Sequence, residues 1–203
     1  MSDPAPNRRA TYQDVLDAPE HQVAEIIGGE LRLSPRPALP ATQAASVICE
    51  ELGPPFKRGR GGPGGWMILL EPELHFGKDI LVPDLAGWRR ERLPILPHEP
   101  YLELPPDWIC EVLSRSTERM DRAEKMPRYA TVGVPYAWLV HPRHRTLEAF
   151  RLQDGRWTSL AVYKDADRAR IEPFEAIEFD LSLLWENVAL PTRASEDAAE
   201  YAY

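Results

Sequence analysis

Two acids stand inside apolar segments of this chain. Asp84 closes ILVPD, and Glu111 interrupts WICEVLS. An ionised carboxylate in such surroundings costs several kcal/mol unless it is paired or ligates a metal. Two of them on strands of one sheet repel each other unless a cation lies between. Mg²⁺ (or Mn²⁺) suits that arrangement, because it takes oxygen ligands and fills its other positions with water and substrate phosphate. The Val112 carbonyl offers a further oxygen. The structural alternatives are that Asp84 caps a turn after Pro83 and that Glu111 pairs with an arginine. Fourteen residues after Glu111 comes Lys125, which shares an i,i+4 stripe with Asp121 and Tyr129. That stripe is either a surface ion pair beside a tyrosine or the border of a metal cleft into which Lys125 reaches.

The elements that position these residues follow from pattern. Thr11 with Asp14 three residues on predicts a short helix over 12–17, stopped by Pro19. VAEII and ELRLS, joined by Gly28–Gly29, form a hairpin, since both turn positions need positive φ. Pro35, Pro37 and Pro40 make a stiff connection to the helix ATQAASVICEEL. GPPFKRGRGGPGG is a loop with a small basic cluster. WMILLEPELHF reads as one largely buried strand and ILVPDLAGW as a second, with residues 89–106 a proline-rich loop. WICEVLS is a third strand, followed by a helix starting near Ser116 or Thr117 and a fourth strand, YAWLVHP. At 100° per residue Met120, Ala123, Met126, Pro127 and Ala130 form the helix's core stripe. A strand–helix–strand unit of this size is a crossover between parallel strands. TLEAFRL and WTSLAVY form a hairpin at Asp154–Gly155. AIEFDL gives another strand and SLLWENV a short helix. The expectation is an α/β (α+β) fold, a mixed β-sheet flanked by helices with hairpins added at both ends. Residues 1–10 read as disordered, 11–190 as one domain and 191–203 as an acidic flexible tail.

Composition narrows the function. The net charge is −8, which argues against a protein that coats nucleic acid generally but not against a local groove that binds it. No stretch reaches the roughly 20 apolar residues of a membrane span, and the start lacks a secretory signal. Two isolated cysteines, Cys49 and Cys110, make no disulfide framework. These features indicate a cytoplasmic protein with no membrane partner. The 21 prolines read as stiffened loops. The histidines have no zinc-like pattern with the cysteines, and GRGGPGG lacks the Lys-Ser/Thr ending of a phosphate loop. Trp66, Trp88, Trp108 and Trp138 read as core rather than as base-stacking platforms.

VPDLAGWRRERL, then PPDWICEVLSRSTERMDRAEKMPRYATVGVPYAWLVHPRHRTLEAFRL, resembles the Uma-type family of restriction endonucleases, within the PD-(D/E)XK nuclease-like superfamily. EIIGGELRLSPRP and ILLEPELHF match its opening hairpin and strand, so the resemblance runs from about Tyr12 to Trp185. It implies a restriction-endonuclease-like core in which an aspartate and a glutamate bind Mg²⁺. Asp84 matches the aspartate of the PD element and Glu111 the second acid. The lysine expected two residues after Glu111 is replaced by Leu113, and Lys125 is the matching position on the next helix. Glu71 and Glu25 are further acids, placed outside the metal's immediate ligands. Thr42 and Gln43 stand where the family often has a histidine.

The resemblance implies Mg²⁺-dependent hydrolysis of DNA phosphodiesters by Asp84, Glu111 and Lys125. Arg58, Arg60, Arg89, Arg90 and Arg115 are candidate contacts to DNA. A homodimer is expected, since exposed strands invite two-fold pairing. The alternative is a nuclease-fold module that binds protein or nucleic acid without catalysis, which Leu113 and the negative charge favour.

Overall fold

Asp14 Oδ2 accepts hydrogen bonds from the Thr11 backbone N–H at 2.7 Å and from its hydroxyl at 2.8 Å. These bonds satisfy donors at the start of helix α1 (Tyr12–Leu16). The computed structural model describes residues 8–189. The proposed disordered start and acidic tail therefore lie almost wholly outside the described residues. Strands β1 (Gln22–Ile27) and β2 (Glu30–Pro35) form the expected hairpin. Gly28 and Gly29 turn it with φ of +66° and +86°, angles at which other residues would be strained. Helix α2 (Leu39–Leu52) follows.

The next stretch departs from the sequence expectation. WMILLEPELHF is two strands, β3 (Trp66–Leu70) and β4 (Glu73–Phe76), and they lie in different sheets. Pro72 has no N–H to continue a ladder, and Glu71 before it takes a φ of +42°. ILVPDLAGW divides in the same way around Pro83, into β5 (Asp79–Leu81) and β6 (Leu85–Arg89). The chain thus leaves one sheet at Pro72 and returns at Pro83. The loop after β6 holds a short strand, β7 (Tyr101–Leu102), which pairs in parallel with β4. Strand β8 (Trp108–Val112) is buried along its whole length.

Helix α3 (Glu118–Met120), a wide π turn over Asp121–Lys125 and helix α4 (Met126–Thr131) run on continuously and cross to strand β9 (Tyr136–His141). Strands β8 and β9 are parallel, as the crossover required. The hairpin of β10 (Thr146–Gln153) and β11 (Arg156–Lys164) turns at Asp154–Gly155. A small pair, β12 (Arg168–Ala169) and β13 (Phe179–Asp180), and a 3₁₀ turn over Leu181–Trp185 complete the described chain.

The architecture is the expected mixed α+β one, with its strands in two principal sheets, each mixed, ordered β2-β1-β5-β4-β7 and β11-β10-β9-β8-β6-β3. One face of the larger sheet packs on α2 through Ala44, Ile48 and Leu52. There Trp66, Trp108 and Trp138 surround Phe174 with ring centroids 4.8, 4.9 and 5.6 Å away. Burying each such ring removes roughly 150–250 Å² from water, about 4–6 kcal/mol gross. Trp88, Ile109 and Leu139 on the other face meet Leu74 and Leu81 of the smaller sheet and Tyr129 of α4 in a second core. Cys110 is buried and Cys49 half-buried, both as free thiols. No helix among the described residues is long and apolar enough to cross a membrane.

Candidate active site

Strands β6 and β8 are antiparallel neighbours with Leu85 opposite Cys110. Asp84 immediately precedes Leu85 and Glu111 immediately follows Cys110, so the backbone brings the two acids together at that end of the ladder. Asp84 Oδ2 accepts the Val112 N–H at 2.6 Å, tying the turn after Pro83 to the end of β8. Both acids line a cleft of about 330 Å³. Burial raises the Asp84 carboxyl to about 6, while the Val112 N–H and the Lys125 charge pull it down. Glu111 is 1% exposed. Burial pushes it well above the ordinary carboxylate value, with Lys125 opposing and Asp121 and Asp84 adding to the rise.

Lys125 lies beneath this pair, in a setting the helical periodicity did not give. The expected core stripe is displaced: Ala123 and Pro127 are exposed, whereas Asp121, Lys125 and Tyr129 are buried. The π turn is the physical reason. Its i→i+5 bonding adds about one residue to a turn, so a stripe drawn at 100° per residue changes phase across Asp121–Lys125. Burial alone would lower the Lys125 ammonium's pKa, but Glu111 and Glu25 outweigh it and hold it well above its ordinary value.

Its Nζ lies 3.0 Å from Glu111 Oε1, 3.0 Å from Glu25 Oε1 and 3.6 Å from Asp121 Oδ1. It also donates to the Val82 carbonyl at 3.0 Å. Two carboxylates and a carbonyl at that distance match the three hydrogens of an ammonium. Tyr129 donates its hydroxyl to Glu111 Oε1 at 2.6 Å, and burial followed by the Glu111 charge raises the phenol well above its usual pKa. The partner of Glu111 is therefore this lysine and not an arginine.

Glu25 is the residue that sequence reasoning undervalued. It is 2% exposed, and its Oε1 accepts the Val82 N–H at 2.8 Å as well as facing Lys125. It thus joins β1 of the smaller sheet to the segment that carries Asp84. The signal was present: Glu25 interrupts the apolar run VAEII just as Glu111 interrupts WICEV. Glu71 also lines the cleft.

The donor set suits a hard cation. Tyr129 and Lys125 both engage Oε1 of Glu111, and Val112 engages Oδ2 of Asp84. Among the described residues no hydrogen bond falls on Glu111 Oε2 or Asp84 Oδ1. Three buried acids, Glu25, Glu111 and Asp121, surround one ammonium, and Asp84 lies within reach of its charge. Among the described residues no group of three or more His, Cys, Asp or Glu gathers at metal-binding spacing. A cation here would take most of its ligands from water and substrate, as Mg²⁺ commonly does.

The family described as "Putative restriction endonuclease", Uma2, matches residues 10–184. The chain belongs to the Uma2 family. Five solved chains match it. Among them is a crystal structure of a "putative nuclease belonging to DUF820" from Anabaena variabilis ATCC 29413, 22% identical, with a TM-score of 0.70 over 87% of this chain and 98% of that one. That likeness establishes a shared fold. No curated protein matches.

In this Uma2 chain, Leu113 is 2% exposed and packs in the core beside Ile109, so a lysine there would enter an apolar cluster. Thr42 is exposed on the first long helix and Gln43 half-buried, and neither lines the cleft. Of the five arginines considered for DNA contact, Arg115 lines the cleft. Arg89 and Arg90 stand at the opposite end of β6 from Asp84, about 17 Å along the strand. The loop bearing Arg58 and Arg60 is tied to that same end, since Arg90 N–H donates to Gly65 O and its guanidinium to Lys57 O. Those four arginines do not border the Asp84–Glu111 pair.

Proposed function

We propose that this chain is a metal-dependent nuclease that hydrolyses DNA phosphodiester bonds, with Asp84 and Glu111 holding Mg²⁺ or Mn²⁺. The observation that carries this reading is that the two acids meet at one end of the β6–β8 ladder and both line one cleft. Membership of a family described as restriction endonucleases supports the same substrate class. When bound, the cation would polarise a phosphoryl oxygen and lower the pKa of a coordinated water.

The chain's own residues do the positioning. The Val112 N–H fixes Asp84, while Tyr129 and Lys125 fix Glu111 from below. The excess of carboxylates over ammonium gives the cleft floor a negative field that draws in a divalent ion. Lys125 offsets part of the charge that builds up in the transition state. It acts from behind Glu111, because its hydrogens already point to Glu25, Glu111 and Val82.

One observation favours the second reading, a nuclease-fold module that binds without cutting. The engaged Lys125 has no hydrogen left for a substrate phosphate. A nicking assay on supercoiled plasmid separates the two. Divalent-dependent nicking by the wild type, lowered about 100-fold or more in Asp84→Ala, is the expected result; loss of the outer partners of a metal ligand alone typically costs 10–100-fold. Equal nicking by wild type and variant contradicts the nuclease reading. No nicking and no metal binding by calorimetry favours the module.

A further inference from the structure

Glu71 is the residue of β3's end that turns away toward the smaller sheet. Its N–H donates to the Asp84 carbonyl at 2.9 Å, so its backbone is fixed one step beyond the Leu70–Leu85 pair. Its φ of +42° is a left-handed conformation that costs a non-glycine residue roughly 1 kcal/mol. Its carboxylate meets the Arg36 guanidinium at 3.5 Å. Arg36 comes from the connection between β2 and α2, where Pro35 and Pro37 on either side limit the backbone. Its other arm donates to the Glu20 carbonyl at 3.1 Å. The guanidinium is therefore held at the cleft rim.

The cleft lining contains five carboxylates, those of Glu25, Glu71, Asp84, Glu111 and Asp121. A polyanion entering it must meet a cation whose present partner can be exchanged. Arg36, Arg115 and Lys125 are the cations of the lining; Lys125 does not qualify, since its contacts are buried, and Arg115 is a further contact that leaves the exchange at Arg36 unaffected. The Arg36–Glu71 pair does: the side chains are 55% and 42% exposed, and such pairs are weak.

We propose that Arg36 receives a substrate phosphate and that Glu71 occupies its guanidinium in the absence of substrate, as an internal competitor. The ligand is a phosphodiester, a class that rests on the nuclease reading above. On binding, the phosphate oxygens replace the Glu71 carboxylate on Arg36, which can take an oxyanion with two parallel hydrogen bonds. Glu71 is released beside Asp84, at the metal pair. The cleft's negative charge thus screens out substrates that cannot displace it.

The test is a double-variant cycle on the affinity of a fluorescein-labelled oligonucleotide, measured by anisotropy in EDTA so that no cleavage occurs. Glu71→Gln is expected to tighten binding about two- to fivefold, the range an exposed ion pair allows. Arg36→Gln is expected to weaken it about fivefold and to lower the salt slope by about one. In the Arg36→Gln background, Glu71→Gln is expected to have no effect, because the competitor acts only through Arg36. Equal tightening in both backgrounds would mean that Glu71 acts as bulk charge, and the proposal falls. It also falls if Arg36→Gln leaves affinity and salt slope unchanged. Metal-dependent nicking by a wild type whose affinity none of these variants alters overturns this inference alone. No binding by the wild type and the variants, together with no nicking, overturns both.

Discussion

Two donors on one oxygen hold Glu111 in place: the Tyr129 hydroxyl and the Lys125 ammonium both meet Oε1. Removing the hydroxyl leaves a buried acceptor short of a partner, which costs about 1–3 kcal/mol. Tyr129→Phe should lower the free energy of urea unfolding by that amount. It should also weaken Mg²⁺ binding by about 10–100-fold, as loss of an outer partner of a metal ligand does. An unchanged metal affinity would show that Tyr129 is only core. His141 supplies a separate residue-scale prediction. It is buried at the end of β9, stacked on His144 at 3.9 Å and 3.5 Å from Glu118. Burial first and His144 second lower its pKa below the ordinary 6.5, against the pull of Glu118. The unfolded chain therefore binds the proton more tightly. This contribution to stability is complete above pH 6.5 and is lost as pH falls from there through the lower folded value. Denaturation at pH 7.5 and pH 5 should show a smaller drop for His141→Asn than for the wild type. Asp84, Glu111 and Lys125 were legible as candidates because charged residues in apolar or crowded settings need a reason. Which nitrogen met which oxygen was not, since that depends on a turn whose hydrogen bonding no periodicity records.

At the scale of elements, the hairpins and the crossover were readable because local chemistry fixes them: two glycines for one turn, Asp-Gly for another, and an apolar strand on each side of a helix. The two split strands were not. Pro72 and Pro83 carry the information, but an apolar run reads as continuous unless the missing N–H is given more weight than the hydropathy. The core stripe of the helix failed for a related reason, the π turn at Asp121–Lys125. Gly87 gives an element-scale test. It sits mid-strand in β6 between two indoles, and an added Cβ would meet ring carbons of Trp108 and Trp66 at 3.2 Å. The rings are fully buried and cannot move freely, so Gly87→Ala should cost about 1–3 kcal/mol by overpacking, readable as a lower midpoint of thermal unfolding. A neutral effect would mean that the tryptophan layer is looser than its contacts suggest.

Over the whole molecule, the acid cluster joins what the two proline breaks separate. Glu25 belongs to the smaller sheet, Glu111 to the larger, Val82 to the segment between them, and Lys125 touches all three. Removing the ammonium leaves buried carboxylates uncompensated, a loss of about 3–5 kcal/mol. Lys125→Met should therefore reduce hydrogen-exchange protection in β1 and β8 together; protection lost in one sheet alone would contradict the joint role. The central claim is that Asp84 and Glu111 share a divalent cation, and a crystal soaked in Mn²⁺ tests it most directly. The expected result is one anomalous peak touching both carboxylates and absent from Asp84→Asn crystals. Manganese bound elsewhere, with no peak between these two side chains, would contradict it.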